Sequence, residues 1–375
     1  MLSKEEVIRY SRHLNLPDFD LEVQRRLADS KVLVVGAGGL GSPLLLYLSA
    51  AGIGHLGIID FDQVELSNLQ RQVLFSTSEI GQNKAAIASE KINELNPHVK
   101  VTVYTEKLTT DNAMDIIPQY DLVADGTDNF QTRYLVNDAC VLAGKPNVYA
   151  SVFRFEGQVS VFNALLENGE RGPNYRDLYP RPPAPGLVPD CATGGVLGVL
   201  PGIVGSFQTL EVIKILTGIG SPLIGELLLI DTLSSNTRKI KFRKKDHSNI
   251  TQLINYDEFC GVDQSKNDMA AIKEVTVQEL KSWKEEGKDF QLIDVREQHE
   301  YDFVNIQGEL IPLGDIMGRT EEISRDKDVV LMCRTGARSG TAVNALQQNG
   351  FNNLYNLKGG IVAWAKEIDT SLPTY

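Results

Sequence analysis

Apolar residues run in short, unbroken blocks along the first 160 positions. "KVLVV" at Lys31–Val35 has no polar alternation, so it predicts a strand buried on both faces. Ser42 to Ala51 predicts the helix that follows. "HLGIID" reads as a strand, and "NKAAIASEKINEL" as an amphipathic helix that stops before Pro97. "VKVTVY", "YDLVADG", "PNVYASV" and "GQVSVFNA" predict further strands, with "FQTRYLVNDACVLAG" a helix among them. Such α/β alternation is the pattern of a doubly wound sheet. It breaks at "RDLYPRPPAPGLVPD", whose prolines exclude a helix or a central strand and predict a long ordered or gating loop. "GGVLGVLPGIVGSFQTLEVIKILTG" restores helix. "GELLLIDT" and "RKIKFRKK" predict a closing antiparallel hairpin.

From about Lys245 to Ala271 the chain is polar and lacks periodicity, which predicts a linker. A second α/β unit begins at Ile272 with "VTVQELKSW", "FQLIDVREQHEYD" and "DVVLMCRTGARSGTAVNALQQNG". The expected domains are therefore 1–244 and 272–375, joined by 245–271. A length of 375 residues also exceeds the ~250–300 residues of a single core.

The net charge of −12 argues against a nucleic-acid binder, which needs a basic face to neutralise phosphates. No run of 18 apolar residues predicts a membrane span. "MLSKEEVIRYSRHL" lacks the apolar core of a signal peptide, so a cytoplasmic protein is expected. The four cysteines, Cys140, Cys191, Cys260 and Cys333, are widely spaced and form no CxxC. A disulfide framework is not expected, and each thiol stands alone.

"GAGGLG" sets Gly36, Gly38 and Gly41, with Gly39 between them, at a strand-to-helix turn. There backbone amides can approach phosphates at a helix N-terminus. Asp60 ends the next strand, the position of a ribose ligand. This much also fits an NAD-dependent dehydrogenase. The following "DFDQVELSNLQRQ" crowds Asp60, Asp62, Asn68, Gln70, Arg71 and Gln72 past the strand end. Lys84 opens the next helix, and "DGTDN" puts Asp125 and Asp128 at a later strand end. Cations that neutralise a triphosphate and a carboxylate that holds Mg²⁺ suit nucleotidyl transfer. Hydride transfer needs no such set.

These motifs, with the "GQNKAA" lysine, resemble the E1-like adenylyltransferases of the MoeB/ThiF/HesA family over about residues 4–243. The resemblance implies a Rossmann-like domain with an antiparallel extension, a homodimer, and ATP·Mg²⁺ in each protomer. It implies as protein substrate a ubiquitin-fold sulfur carrier ending in Gly-Gly, whose carboxylate attacks the α-phosphate. Asp60 would bind ribose, Asn68, Arg71 and Lys84 the triphosphate, and Asp128 the Mg²⁺. Arg12 of "RYSRHL" would reach the partner protomer's ATP.

The same family places a cysteine at Cys191, in "VPDCATGG", where it can bond to the activated carrier. The alternative is a small residue packed under the loop. Many relatives carry a Cys₄ zinc site. Here the corresponding stretches offer Asn174 and Asp177, then Asp257 and Cys260, a poor tetrahedral set, so no structural zinc is expected. Cys140 reads as core.

"LIDVREQHEYDFVNIQGELIPL" followed by "VVLMCRTGARS" resembles a rhodanese domain from about residue 273 onward. A strand, loop and helix aim N–H groups at Cys333. With Arg334 and Arg338 they would stabilise a thiolate or persulfide, in a loop of Cys333, Arg334, Thr335, Gly336, Ala337 and Arg338. A cysteine phosphatase needs five residues between cysteine and arginine. Only four separate Cys333 from Arg338, a ring suited to one sulfur atom. Asp294 and Arg296 read as scaffold.

Together the motifs predict adenylation of a carrier carboxylate and sulfur transfer from Cys333. The donor would be thiosulfate or a cysteine-desulfurase persulfide. The layout resembles the MoeB/MOCS3 type, which favours molybdopterin synthesis over thiamine synthesis or tRNA thiolation. A dehydrogenase and a non-catalytic carrier-binding scaffold are the alternatives of other classes.

Overall fold

The computed structural model describes residues 2–183, 195–245, 250–261 and 272–373. The chain divides into two compact units, Met1–Gly261 and Val262–Tyr375.

The first unit is built on eight strands: β1 (Lys31–Val35), β2 (His55–Ile59), β3 (Lys100–Tyr104), β4 (Leu122–Asp125), β5 (Asn147–Phe153), β6 (Glu156–Phe162), β7 (Glu226–Asp231) and β8 (Asn236–Lys241). They lie in the order β3-β2-β1-β4-β5-β6-β7-β8. β1 to β5 pair in parallel, and β6, β7 and β8 extend the sheet antiparallel. β1 and β4 are buried along nearly their whole length because helices cover both faces, and this accounts for their unbroken apolar sequences. The chain leaves β1 toward β2 on one side and reaches β4 on the other. The crevice at the carboxyl ends of β1 and β4 is thus the switch point where α/β sheets bind ligands.

The Val199–Thr217 helix packs on β5, β6 and the Gly41–Ala51 helix. Its apolarity serves this core: Leu200, Val204 and Val212 are fully buried. Its buried Gln208 donates to the carbonyls of Asp125 and Val148, so the helix is pinned to the end of β4 as well as packed on the sheet.

Two local expectations change. The proline-rich stretch was expected to hold no helix, but its first residues complete one turn, Tyr175–Leu178, capped by Asn174. That turn ends before Pro180, the first residue unable to continue it. Residues 250–261 were expected in the linker, yet they carry a helix, Tyr256–Phe259, and belong to the first compact unit. Tyr256 is buried and donates to Asp138 at 2.8 Å.

The second unit holds β9 (Glu274–Val275), β10 (Phe290–Asp294), β11 (Glu309–Leu310), β12 (Asp328–Met332) and β13 (Leu354–Leu357), in the order β11-β10-β12-β13-β9, all parallel. Val329 and Leu331 enter one apolar cluster and Val330 and Met332 another. The central strand β12 therefore anchors both faces, with the period of two that a pleated strand imposes. Cys333 follows it directly.

Candidate active site

In the first unit, a cavity of about 450 Å³ opens at the switch point. Gly36, with φ +91°, turns the chain out of β1. Gly41 opens the following helix, and a Cβ there would lie 2.1 Å from the Gly36 carbonyl oxygen. The turn is therefore tight enough for backbone amides to face the crevice. Of the predicted residues, Gly36, Gly38, Gly39, Asp60, Arg71, Lys84 and Asp128 line this cavity. Gly41 acts behind it through packing.

Asp60 is buried at the end of β2. Its carboxylate accepts from Ala37 N and Asp62 N at 2.8 and 2.9 Å, which ties the glycine loop to the second strand. Burial pushes its carboxyl above the usual range, against those two N–H donors and the charge of Lys84. Lys84 is buried at the first position of the Lys84–Leu95 helix, 3.2 Å from Asp62. A cation at a helix N-terminus opposes the helix dipole, and so near a cavity the arrangement suits an anionic ligand. Arg71 is held by the Ser67 carbonyl at 3.0 Å. Asp128 is exposed beside the cavity. An accessible carboxylate in a cavity that two cations also line fits Mg²⁺ bound together with phosphate oxygens, since Mg²⁺ takes one or two protein carboxylates and substrate oxygens.

Other predicted residues lie elsewhere. Asn68 caps its own 3₁₀ turn, its Oδ1 accepting from Glu65 N, and is not in the cavity wall. Arg12 is exposed on the Ser11–Leu14 helix, away from the cavity. Cys191 lies outside the described residues. Cys140 is fully buried in an apolar cluster, and burial holds its thiol well above the usual range.

Two cavity residues carry no role from sequence: Gln72, named only as part of its motif, and Arg133, not singled out at all. Gln72 is buried next to Gly38, with its Oε1 unpartnered among the described residues. Arg133 is stacked against the Phe130 and Tyr149 rings and donates to the Thr127 carbonyl at 3.1 Å. Thr127 also donates through N and Oγ1 to the buried Asp125. Both ends of Thr127 are thereby fixed, and Asp128 follows it. The signal in the sequence was an arginine beside the apolar face of the Phe130–Leu142 helix.

The side chains at the positions that hold zinc in many relatives make other contacts here. Asn174 and Asp177 form a capping box, and Asp177 also accepts from Lys245 N. Arg176 pairs with Asp138 at 2.6 Å and lies over the Phe259 ring at 4.6 Å. A guanidinium and two committed hydrogen-bond acceptors do not fit a tetrahedral zinc ion.

In the second unit, Cys333 is buried at the C-terminal end of β12. Its Sγ accepts from Gly336 N at 3.1 Å and lies 3.4 Å from Ser339 Oγ. Gly336, at φ +100°, precedes the Ala337–Gln348 helix. Loop carbonyls of Cys333 and Arg334 accept from Ile361 N and Val362 N, which holds the loop against the following helix. A Cβ on Gly360 would lie 2.4 Å from the Cys333 carbonyl oxygen, which leaves room only for glycine.

Arg338 makes a bidentate pair with Glu300, both contacts 2.7 Å. Arg296, fully buried, binds Asp294 and the carbonyls of Glu300 and Val304. It fixes the Gln298–Phe303 helix that carries Glu300. Asp294 and Arg296 thus hold the wall of the loop.

A crevice lined by Lys84, Arg71 and Asp128 at the switch point of the sheet, joined in one chain to a buried cysteine just before a helix, is the layout of an adenylyltransferase with a sulfurtransferase domain. The ThiF family model matches residues 10–253 and the rhodanese-like domain model residues 276–367. The chain belongs to the ThiF family and carries a C-terminal rhodanese domain. It is 49% identical to the probable adenylyltransferase/sulfurtransferase MoeZ of Mycobacterium tuberculosis, over 100% of this chain and 96% of the relative. It is 49% identical to the sulfur carrier protein adenylyltransferase of Thermus thermophilus, over 69% of this chain and 98% of that one. Identity to the mouse (Mus musculus) adenylyltransferase and sulfurtransferase MOCS3 is 40%, over 100% and 88%. Among solved structures, E. coli MccB with MccA-N7isoASN superposes with a TM-score of 0.57 at 21% identity, over 66% of this chain and 75% of that one. That likeness concerns the fold.

Proposed function

We propose that this enzyme converts the C-terminal Gly-Gly carboxylate of a ubiquitin-fold sulfur carrier into a thiocarboxylate. The observation that carries the reading is the conjunction of the Lys84–Arg71–Asp128 cavity with the Cys333 loop in one chain. The carboxylate is ionised at neutral pH and needs no general base. Its oxygen attacks the α-phosphorus of ATP, the bond to the β-phosphate breaks, and pyrophosphate leaves. Lys84 and Arg71 hold the phosphates and Asp128 holds Mg²⁺, which neutralises charge on them. The rate enhancement rests on orientation and charge stabilisation. Gln72 and Arg133 shape the wall, and Arg12 acts in the partner protomer of a homodimer.

The terminal sulfur of a Cys333 persulfide then attacks the acyl carbon and AMP leaves, giving an acyl disulfide. Attack by the Cys191 thiolate on the Cys333 sulfur releases the thiocarboxylate. The resulting disulfide is reset by a cellular dithiol. Thiosulfate or a cysteine-desulfurase persulfide reloads Cys333. A reducing, cytoplasmic setting suits this thiol chemistry. The layout shared with the MoeB/MOCS3 type favours a carrier that feeds molybdopterin.

Intact-mass measurement of candidate carriers, incubated with the enzyme, ATP, Mg²⁺ and thiosulfate, tests the reading. The expected result is a mass gain matching replacement of one carboxylate oxygen by sulfur, largest on the molybdopterin carrier. A preference for the thiamine carrier, or for a carrier that serves tRNA thiolation, reassigns the pathway. No gain on any carrier overturns the reading.

A further inference from the structure

The Cys333 cradle contains a hydroxyl placed between two acceptors. Ser339 is fully buried in the first turn of the Ala337–Gln348 helix. Its Oγ lies 2.6 Å from Asn356 Oδ1 and 3.4 Å from Cys333 Sγ. One hydroxyl carries one proton, so it can donate to only one of these at a time. The shorter contact is to the amide. That is the expected state while the sulfur is a neutral thiol, a weak acceptor.

We propose that Ser339 is a switching hydrogen-bond donor to the sulfur of Cys333, and that Asn356 is its positioning residue. When Cys333 becomes a thiolate, or carries a persulfide, its charge outcompetes the neutral amide, because bonds to ionised partners are about twice as strong. The hydroxyl then rotates from Asn356 to sulfur. The movement is a single torsion in a packed site, so it costs little reorganisation. Asn356 stands on β13 and holds Ser339 Oγ within reach of Sγ while the sulfur is neutral. It supplies an acceptor that is strong enough to orient the hydroxyl and neutral enough to release it. The Gly336 N–H, by contrast, is fixed and donates in either state. The inference rests on the reading that Cys333 carries the sulfur.

The test is site-resolved alkylation of Cys333 by iodoacetamide in the full-length protein, followed by mass spectrometry of its peptide from about pH 6 to 10. Ser339→Ala is expected to slow alkylation about tenfold at neutral pH, with the same limiting rate at high pH. The profile therefore moves upward by about one pH unit. Ser339→Thr restores the wild-type profile. Asn356→Asp retains the hydroxyl but offers it a charged acceptor, and moves the profile in the same direction as Ser339→Ala. It also keeps the proposal testable if the alanine variant misfolds. A Ser339→Ala profile that superimposes on wild type, or one lowered by the same factor at every pH, overturns the proposal. In parallel, wild-type protein incubated with thiosulfate should gain one sulfur on Cys333, with sulfite leaving. Failure there counts against the sulfur-carrier role of Cys333, and is read separately from the alkylation profile.

Discussion

Two of the four cysteines, Cys260 and Cys140, can be compared as chemical environments. Burial pushes the Cys260 thiol up to about 11, with Asp257 raising it further and Arg176 opposing. Cys140 is raised well above its usual value by burial, with nearby Asp125 and Asp138 adding to the effect. A raised thiol value favours the protonated form, so the nucleophilic thiolate appears only as pH rises toward that value. At pH 8 a thiol with a value of about 11 is ionised in roughly one molecule in a thousand. Cys260 should therefore alkylate slowly at pH 8, and its rate should rise about tenfold per pH unit up to pH 10. Quantitative alkylation mass spectrometry checks this, and rapid labelling of Cys260 at pH 8 would contradict the burial argument. The residues that sequence reading found, Asp60, Lys84 and Asp128, sit in contiguous motifs whose spacing reports their geometry. Gln72 stood in such a motif, but its role depends on contact with Gly38 across the turn. Arg133, on a helix, depends on Tyr149 from β5. Glu300 depends on Arg338, which is 38 residues away. Pairings of this kind leave no local trace.

At the scale of elements, the strands were legible because complete burial demands unbroken apolar runs, as in β1, β4 and β12. The Tyr256–Phe259 helix was not. It has four residues, too short for a periodic signal, and its docking is polar and aromatic. Tyr256 donates to Asp138, which also receives Arg176 through Nε and Nη2. Arg176 in turn covers Phe259. Asp138 is 1% exposed, and Asn137 also donates to it, so its carboxylate is satisfied by protein donors rather than water. Tyr256→Phe should destabilise the first unit by about 1–3 kcal/mol, the cost of a lost bond to a buried charge. Arg176→Ala, which leaves the carboxylate buried without its cation, should cost about 3–5 kcal/mol. Urea unfolding gives both values. Hydrogen exchange should show residues 250–261 opening before the sheet in each variant. Equal stability of Arg176→Ala and wild type would mean that apolar contacts alone hold the segment.

At the scale of the whole molecule, composition divided the chain into two units because each encloses its own core, and residue 245 marked where sustained periodicity ends. The boundary at Gly261 was invisible for the reason the short helix was. Two cores with separate chemistry make the two half-reactions separable. In the proposed mechanism adenylation uses Lys84, Arg71 and Asp128, all in the first unit, and sulfur loading uses the loop after β12, in the second. Asp128→Ala should abolish carrier-dependent ATP–pyrophosphate exchange, because Asp128 is the carboxylate proposed to hold Mg²⁺ and Asp62, also exposed in that wall, is paired with Lys84. The same variant should still gain one sulfur on Cys333 from thiosulfate. Cys333→Ala should do the reverse, exchanging pyrophosphate at a rate near wild type while yielding no thiocarboxylate. Mixing the two variants then asks whether sulfur passes between chains. Product from the mixture means that Cys333 of one chain can serve the adenylate held by another. Loss of both half-reactions in either single variant would contradict their independence.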